Sequence, residues 1–443
     1  MSIFRAYDIR GIYPKEIDEK VAEKLGSSFG TFIKGKKVVV GCDARLSSPV
    51  LKRNFINGLK ATGKKVIDIG VVSTPVVIFA TRKLRCSGGV MITASHNPKE
   101  YNGFKFYDKK ALPIGFESGI NKIKEIFNNE EFTKGKGSIS NKDIKEEYSS
   151  YLLKYIKIRN SKLKIVVDCG NGSSGLIYPD VIKKTGAKVY ELFTKPDGNF
   201  PNHHPNPTKE ENLIQLKEKV KELHADLGFA YDGDGDRVVI INKKGEEVYV
   251  GIIFSMLIKN LKKSSKIIIT ITDSLAIQDI IKKYGHTSII SKVGHTYISQ
   301  KMIEESAELG GEISGHYYFK ETFGGDDALF ATLKIIEILS NSNIDEFVKE
   351  FPFYFSEVSE KMRFEIKESE KFKFIEELKD EFKKNNFKIN DLDGIKLIFK
   401  NSWILIRPSN TEPKISIAYE SKTEKSFNKL KEIVNEIIKI IPK

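Results

Sequence analysis

Three segments of the chain share one pattern of apolar and polar positions. Each has a lysine near its start, a run rich in β-branched residues and then a turn of small, polar residues: KKVVVGCDARLSS at 36–48, LKIVVDCGNGSSG at 163–175 and SKIIITITDSLAI at 265–277. A helix-length stretch follows each segment, and a glycine then introduces a second predicted strand: GKKVIDIG from 63, GAKVYELF from 186 and GHTSIISKV from 285. This order predicts a strand-helix-strand unit used three times. Because helical crossovers join parallel strands, we predict three topologically similar α/β domains with mainly parallel, mixed sheets.

The chain after about residue 356 has a different order of predicted elements. Strand MRFEIK, helix KFIEELKDEFKK, three strands (GIKLIFK, WILIRP, KISIAYE) and helix FNKLKEIVNEIIKII follow one another. This order predicts a smaller α+β domain with its helices on one face of the sheet. Composition shifts at KGKGSISNKDIKEEYSS and at a polar turn plus strand around NKKGEEVYV place the other boundaries. The expected domains are therefore residues 1–148, 149–252, 253–355 and 356–443.

The charge of the chain favours an acidic partner. With 73 Lys plus Arg against 59 Asp plus Glu, the net charge is +14, which suits nucleic acid, an anionic surface or a phosphorylated small molecule. The lysines are spread along predicted helices, as on solvated faces, and no arginine-rich tail or nucleic-acid motif is present in the sequence. The sequence therefore gives no support to a nucleic-acid partner.

The sequence also predicts the compartment. Cys42, Cys86 and Cys169 are far apart and form no CxxC pair, which fits a reducing, cytoplasmic setting. The N-terminal MSIFRAYDIRG lacks the apolar core of a signal peptide. The longest apolar run, near VYVGIIFSMLI, is shorter than the ~20 residues of a membrane span. We therefore expect a cytoplasmic protein with no membrane partner.

The stretch TASHNP at 93–98 places a serine and a histidine at the end of a predicted strand. Pro98 disfavours helical geometry at Asn97, so Ser95 is expected at a strand-to-turn corner. A serine in this position often satisfies the turn through its own hydroxyl. A chemical role for Ser95 is the alternative, and the stretch alone does not choose between them.

The stretch DGDGDR at 232–237 alternates three carboxylates with glycines, directly after an apolar strand. The glycines allow a tight fold that points Asp232, Asp234 and Asp236 to one centre, where a hard cation such as Mg²⁺ would neutralise them. An EF-hand is excluded, because Arg237 and Lys243 stand where glycine and glutamate are needed. The pattern D-x-D-G also fits aspartyl-phosphate phosphotransferases, with Asp232 as the nucleophile. That alternative stays open at this point.

Two further stretches could bind a phosphosugar. RPSNTEP at 407–413 offers an arginine, hydroxyls and turn amides to a phosphate, although a plain hairpin loop fits as well. GEISGH at 311–316 fits two interpretations. As an extended segment it would place Glu312 and Ser314 on one side, where they could bind a sugar diol, and the alternative is a glycine-rich turn. Gly294-His295 opens a predicted helix, and the amides of a helix start suit an anion.

Six motifs in this order resemble the α-D-phosphohexomutase superfamily, and specifically its phosphomannomutase/phosphoglucomutase branch. They are FRAYDIRG at 4–11, TASHNP at 93–98, NGFK at 102–105, DGDGDR at 232–237, GEISGH at 311–316 and RPSNTEP at 407–413. The resemblance covers the whole chain and implies four domains around one central cleft. It also implies interconversion of hexose 1-phosphate and hexose 6-phosphate through a phosphoserine enzyme and a hexose 1,6-bisphosphate, with glucose or mannose 1,6-bisphosphate as activator.

The resemblance implies a role for each motif residue. Ser95 would carry the phosphoryl group, with Mg²⁺ held by Ser95, Asp232, Asp234 and Asp236. Four other residues would take part in the chemistry: Arg237 steadying the phosphate, His96 and Lys105 in proton transfer and charge stabilisation, and Arg10 lining the cleft. The substrate-binding residues would be Tyr7, His295, Glu312, Ser314, His316, Arg407, Ser409, Asn410 and Thr411.

Two departures bear on the sugar. Ile313 stands where many members of this branch have Met and where phosphoglucosamine mutases typically have Gln. This apolar residue favours mannose or glucose phosphates, with phosphoglucosamine mutase as the alternative. The strand end at 270–273 lacks a lysine that some dual-specificity members place there.

Overall fold

The computed structural model of the chain describes residues 3–367, 369–409 and 413–442. The first α/β unit and the helix that follows it contain β1 (Ile9–Ile12), α1 (Glu19–Phe32), β2 (Lys37–Cys42), α2 (Ser48–Ala61), β3 (Lys65–Val71), α3 (Thr74–Lys83), β4 (Gly88–Ile92), β5 (Tyr101–Asp108), α4 (Asn121–Asn129), β6 (Ser138–Asn141) and α5 (Lys145–Leu153). The strand order is β1-β5-β4-β2-β3-β6. Strands β4, β2, β3 and β6 are parallel, whereas β5 and β1 form an antiparallel edge.

The second and third units repeat this plan with four strands each. The second contains β7 (Lys164–Asp168), α6 (Tyr178–Lys183), β8 (Lys188–Leu192), α7 (Ile214–Glu222), β9 (Leu227–Tyr231) and β10 (Val238–Asn242). The third contains α8 (Val250–Lys259), β11 (Lys266–Thr270), α9 (Leu275–Lys283), β12 (Thr287–Ser291), α10 (His295–Glu304), β13 (Leu309–Glu312), β14 (His316–Phe319), α11 (Ala328–Leu339) and α12 (Ile344–Glu350). Their orders are β10-β9-β7-β8 and β12-β11-β13-β14. In both sheets the last strand in sequence is antiparallel to its neighbour.

The C-terminal unit is antiparallel. It contains β15 (Phe355–Glu357), β16 (Arg363–Glu365), α13 (Lys371–Lys384), β17 (Ile389–Asn390), β18 (Ile395–Ile398), β19 (Ser402–Pro408), β20 (Lys414–Ser421) and α14 (Glu424–Lys439). The order is β15-β20-β19-β18-β17, and β16 also pairs with β20. Both helices contact β19. Single helical turns also occur at Phe116–Ile120, Ser173–Leu176, Glu210–Leu213 and Glu360–Met362.

The structure confirms the predicted repeat. Each Lys-led strand pairs in parallel with the strand that follows its helix: β2 with β3, β7 with β8, and β11 with β12. One predicted strand is wrong, because NKKGEEVYV contributes a single bridge between Ile241 and Glu247. The Asn242 side chain accepts the amides of Lys244 and Glu246 and closes a turn there. Helix α8 then begins at Val250.

The apolar core differs between the first three units and the fourth. One continuous cluster of buried side chains joins the first three, with α3, α5, α8 and α11 among its contributors. The fourth unit has a core of its own and meets the third through a small cluster around Ile271, Trp403 and Leu405. Within the described residues, no helix is long and apolar enough to cross a bilayer.

Candidate active site

Ser95 lies in a turn just beyond the end of β4. It has a backbone φ of 50°, in the left-handed region that a non-glycine residue seldom adopts. Its hydroxyl donates to Asp232 Oδ2 at 2.8 Å and lies 3.2 Å from His96 Nδ1. The side chain is buried at 2% exposure. The predicted corner is confirmed, and the serine of the first unit meets the acidic loop of the second.

A buried arginine holds the Ser95 turn. Arg45 is 1% exposed and pairs with Asp43 at 3.0 Å. Its guanidinium donates to four carbonyl oxygens of the turn, those of Ser95, Asn97, Pro98 and Tyr101. Asp43 also accepts the Thr93 hydroxyl, which in turn accepts the Ser95 amide. This network fixes the backbone of a strained residue, as such conformations require.

The acidic loop begins where β9 ends. Asp232 Oδ1 accepts the backbone amides of Asp236 and Arg237 at 3.1 and 3.2 Å. Gly235 has a φ of 70°, and its carbonyl accepts the buried Tyr178 hydroxyl at 2.5 Å. The loop therefore curls back on its first carboxylate, as the glycine spacing predicts.

The carboxylates of Asp232, Asp234 and Asp236 are buried, with oxygens within 4.8 Å of one another. Lys105 donates to Asp234 Oδ2 at 2.7 Å and to Asp236 Oδ2 at 2.6 Å. The Oδ1 atoms of Asp234 and Asp236 have no hydrogen-bond partner among the described residues. Buried carboxylate oxygens without partners are costly unless a cation binds them. The residues present therefore fit a hard divalent cation.

The charges and burial in this cluster shift the pKa values of its members in opposite directions. Burial, reinforced by Asp236 and Asp234, raises the pKa of Asp232 well above its usual range. Burial acts in the same direction on Asp236, but Lys105, His316 and Arg237 outweigh it and hold the pKa of that carboxyl far below its usual range. Burial lowers the pKa of Lys105, yet Asp234 and Asp236 raise it well above the ordinary lysine value. Lys105 is therefore a permanent cation at this site.

His96 lies next to the Ser95 hydroxyl, and two arginines contact the residues around it. Burial, together with Arg237 and Arg10, lowers the pKa of His96 to about 2, so its imidazole is neutral at physiological pH. Arg10, on β1, donates to Asn97 Oδ1 at 2.7 Å and pairs with Asp8. Arg237 Nε lies 3.9 Å from Asp232 Oδ2, the oxygen that Ser95 also contacts.

The third unit approaches this site with the start of α10 and with the hairpin between β13 and β14. Tyr7 donates to the Val293 carbonyl at 3.0 Å, and its ring lies 5.8 Å from that of His295. His295 is the first residue of α10, as predicted. Burial and the charge of Lys105 lower the pKa of His295.

Of the two interpretations of GEISGH, the structure confirms the glycine-rich turn and contradicts the extended segment. Glu312 and His316 are paired across the antiparallel strands β13 and β14, so 313–315 form a tight hairpin loop and not an extended segment. Gly315 has a φ of 87°, which permits this turn. Glu312 and Ser314 therefore do not share one side of a strand. Ile313 and Ser314 of this loop line part of a cavity of about 320 Å³.

His316 connects this hairpin with the acidic loop. Its Nδ1 lies 2.7 Å from Asp326 Oδ2 and 3.9 Å from Asp236 Oδ1. Burial lowers its pKa, but Asp236 and Asp326 more than compensate and raise it above the ordinary histidine value. The Val238 amide donates to the Gly315 carbonyl at 3.2 Å and ties the second unit to the same hairpin.

The fourth unit contributes Arg407, near the end of β19. Its Nη2 pairs with Asp393 Oδ2 at 2.8 Å, and the same carboxylate oxygen accepts the Val293 amide at 3.1 Å. Ser409 follows β19, and its amide donates to the Lys414 carbonyl. The predicted phosphate-binding residues Asn410 and Thr411 lie outside the described residues.

Sequence reasoning missed several residues that support the site. Asp43 and Arg45 lie in the first repeat segment, where the charged pair after an apolar strand could have identified them. Thr74 and Tyr178 carry no such signal, because they contact the acidic loop from parts of the chain distant in sequence. Asp326 lies only ten residues after His316, which it contacts, but no motif marks it.

Family sequence models match nearly the whole chain. Three described as phosphoglucomutase/phosphomannomutase, alpha/beta/alpha domains I, II and III match residues 1–134, 146–245 and 245–354. The model of the C-terminal domain matches residues 362–437. The chain belongs to this family. It is thus an enzyme of the phosphomannomutase/phosphoglucomutase branch of the α-D-phosphohexomutase superfamily, and the predicted membership and fold class are confirmed.

Individual relatives of this family align over their full length. A phosphomannomutase/phosphoglucomutase of Pseudomonas aeruginosa is 37% identical over 449 residues, which cover 99% of this chain and 96% of the relative. A phosphomannomutase of Methanocaldococcus jannaschii is 37% identical over 455 residues, covering 99% and 98%. The crystal structure of a phosphoglucomutase/phosphomannomutase family protein of Burkholderia thailandensis superposes with a TM-score of 0.91 at 31% identity, covering 99% and 97%.

Proposed function

We propose that this enzyme interconverts the 1-phosphate and 6-phosphate of mannose, of glucose, or of both, through phosphorylated Ser95 and a hexose 1,6-bisphosphate. Its substrates would be small phosphosugars, with no nucleic acid and no membrane as partner. The observation that carries the proposal is the contact of Ser95 Oγ with Asp232 Oδ2 at 2.8 Å, inside a cluster of buried carboxylates. A serine hydroxyl beside a cation site is the arrangement that phosphoryl transfer needs.

Mg²⁺ is the cation we assign to this site, held by Asp232, Asp234, Asp236 and the Ser95 oxygen. When bound, it would neutralise charge on the phosphoryl group as it transfers. The two buried Oδ1 atoms that lack hydrogen bonds within the described part of the chain support this assignment.

The protein's own side chains position the reacting groups. In the first transfer, the bond between Ser95 Oγ and phosphorus breaks, a bond to the free sugar hydroxyl forms, and that hydroxyl loses its proton. Neutral His96, 3.2 Å from Ser95 Oγ, is a candidate to exchange this proton with the serine. Lys105, always charged, and Arg237 would stabilise the negative charge, and Arg10 would hold the turn through Asn97.

The same phosphoryl site must serve both ends of one hexose. After the first transfer, the bisphosphate turns around and returns its other phosphate to Ser95. A distal clamp must therefore accept either phosphate, and we assign Arg407, Ser409, Asn410 and Thr411 to it. We propose that five residues bind the sugar and the phosphate next to it: Tyr7, His295, Glu312, Ser314 and His316. Glucose or mannose 1,6-bisphosphate would prime Ser95 as activator.

The rival nucleophile is less well supported. Both oxygens of Asp232 already accept hydrogen bonds, from Ser95 and from two backbone amides. Among sugars, Ile313 and the names of the relatives favour mannose and glucose phosphates over glucosamine phosphate.

The test is a direct assay of sugar choice. The purified protein is incubated with Mg²⁺, a trace of glucose 1,6-bisphosphate and each of mannose 1-phosphate, glucose 1-phosphate and glucosamine 1-phosphate. We expect formation of mannose 6-phosphate, glucose 6-phosphate or both. Preferred turnover of glucosamine 1-phosphate would overturn the sugar assignment, and release of inorganic phosphate without isomerisation would overturn the mutase assignment.

A further inference from the structure

Thr74 connects the first unit to the acidic loop of the second. It is the first residue of α3 and is 1% exposed. Its amide donates to the Asp234 carbonyl at 2.8 Å, and its hydroxyl donates to Asp234 Oδ2 at 2.5 Å. These groups are 160 positions apart in sequence. One threonine therefore binds both the backbone and the side chain of a proposed cation ligand.

This contact decides which oxygen of Asp234 is available. Oδ2 accepts both the Thr74 hydroxyl and the Lys105 ammonium. Oδ1 stays buried and without a hydrogen bond among the residues described. Thr74 and Lys105 therefore occupy one oxygen of the carboxylate and fix its orientation. The other oxygen is left available to a cation.

We propose that Thr74 is a positioning residue for the cation site, so that cation affinity depends on the packing of α3 against the acidic loop. The inference rests on the proposed metal site and adds a residue from another unit to it. Groups that orient a ligand carboxylate typically change metal affinity by ~10- to 100-fold when removed.

A purely structural role for the hydroxyl predicts a different result. Removing a buried hydrogen bond would then lower the melting temperature and leave cation affinity unchanged. Thr81 provides the matched control, because it is a buried threonine on the same helix. Its hydroxyl donates to the Val77 carbonyl at 2.7 Å, within the helix.

The experiment measures Mn²⁺ binding to the full-length protein by electron paramagnetic resonance, without substrate. We expect Thr74→Val to raise the Kd for Mn²⁺ by about ten-fold or more. Thr74→Ser, which keeps the hydroxyl, should recover most of the affinity. Thr81→Val should bind Mn²⁺ as the unaltered protein does. In assays, Thr74→Val should raise the Mg²⁺ needed for half-maximal activity, with an unchanged KM for hexose 1-phosphate at saturating Mg²⁺.

The outcomes are distinguishable. If the unaltered protein binds no Mn²⁺, the proposed metal site fails. If it binds Mn²⁺ and folded Thr74→Val binds equally well, the role of Thr74 fails while the site stands. Should Thr74→Val not fold, Thr74→Cys replaces it, because a thiol is a weak donor of similar size. Unchanged affinity in folded Thr74→Cys would then overturn the inference.

Discussion

The phosphoryl site and the proposed substrate grip are built differently. Around Ser95, side chains of the first two units interlock: Ser95 with Asp232, Lys105 with two carboxylates, and Thr74 with Asp234. Both regions keep buried polar atoms without partners in the described residues: Asp234 Oδ1 and Asp236 Oδ1 at the phosphoryl site, and Ser314 Oγ, His295 Nε2 and Arg407 Nε in the grip. The grip differs because these three residues lie on separate elements of the third and fourth units. The hairpin that carries Ser314 also lines a cavity.

The difference follows the demands of the proposed reaction. The reacting phosphoryl group always meets the same oxygen, so its site gains from rigid preorganisation. The sugar must bind in two orientations, so its contacts cannot all be satisfied by the protein beforehand. The packing of the units is consistent with this difference. The first three units share one apolar core, whereas the fourth, which carries Arg407, joins the third through a small apolar cluster. We therefore expect changes at the phosphoryl site to lower kcat and changes at the grip to raise KM.

The largest effect should come from Ser95→Ala. In the proposed mechanism the Ser95 hydroxyl carries the phosphoryl group, so its loss should lower turnover on the order of 10⁴-fold or more. The measurement is steady-state kinetics in both directions, with folding checked by circular dichroism. Rates equal to those of the unaltered protein would place the phosphoryl carrier elsewhere and break the comparison.

Asp234→Asn should have the next largest effect. Loss of one charge from the cation site should raise the Mg²⁺ requirement and lower kcat by about 10²- to 10³-fold, which corresponds to ~3–4 kcal/mol. The control is Asp180→Asn, an exposed carboxylate on α6 whose side chain is 78% exposed. Full activity of the unaltered protein in excess chelator would contradict the metal site itself.

Arg407→Ala tests the grip. In the proposed role, the arginine would contact the phosphate that is not reacting, so its loss should weaken binding of 1-phosphate and 6-phosphate substrates alike, by ~2 kcal/mol or about 30-fold in KM. Mn²⁺ binding and phosphorylation of Ser95 should persist. Lys400→Ala, which removes an exposed charge from the same unit, is the control. An effect on kcat alone would show that Arg407 belongs with the phosphoryl site.

Ser314→Ala should give the smallest effect. One hydrogen bond to a sugar hydroxyl contributes ~1 kcal/mol, or about a five-fold rise in KM. Ser255→Ala removes a hydroxyl that donates to the Gly251 carbonyl within α8 and should leave KM unchanged. If Ser314→Ala instead reduced kcat with KM constant, the separation between grip and phosphoryl site would need revision.

Much of the fold could be predicted from the sequence. The β-branched runs around Val39, Val166 and Ile268 each indicate a buried strand without information from the rest of the chain. The structure confirms the parallel pairs that were predicted from them. For GEISGH the sequence left an extended segment and a glycine-rich turn open, and pairing of Glu312 with His316 across the two strands leaves 313–315 as the turn. Register between strands is a tertiary property that this motif does not reveal.

Candidate site residues could be predicted where a single short motif contains the reactive side chains. The glycine-spaced carboxylates from Asp232 to Asp236 indicate a cation by themselves, and Ser95 was placed at its corner by Pro98. The supports of these groups could not be predicted in the same way. Thr74 carries no signal in the sequence, because its contact with Asp234 exists only once folding brings segments 160 positions apart together.

The most direct test of the account asks which side chain carries the phosphate. The protein is incubated with glucose 1,6-bisphosphate labelled with ³²P, and the labelled peptide is mapped by mass spectrometry before and after hydroxylamine treatment. We expect a phosphoester on Ser95 that survives acid and hydroxylamine and is absent from Ser95→Ala. A label on Asp232 that hydroxylamine removes would contradict it, because an acyl phosphate there would make the serine a bystander.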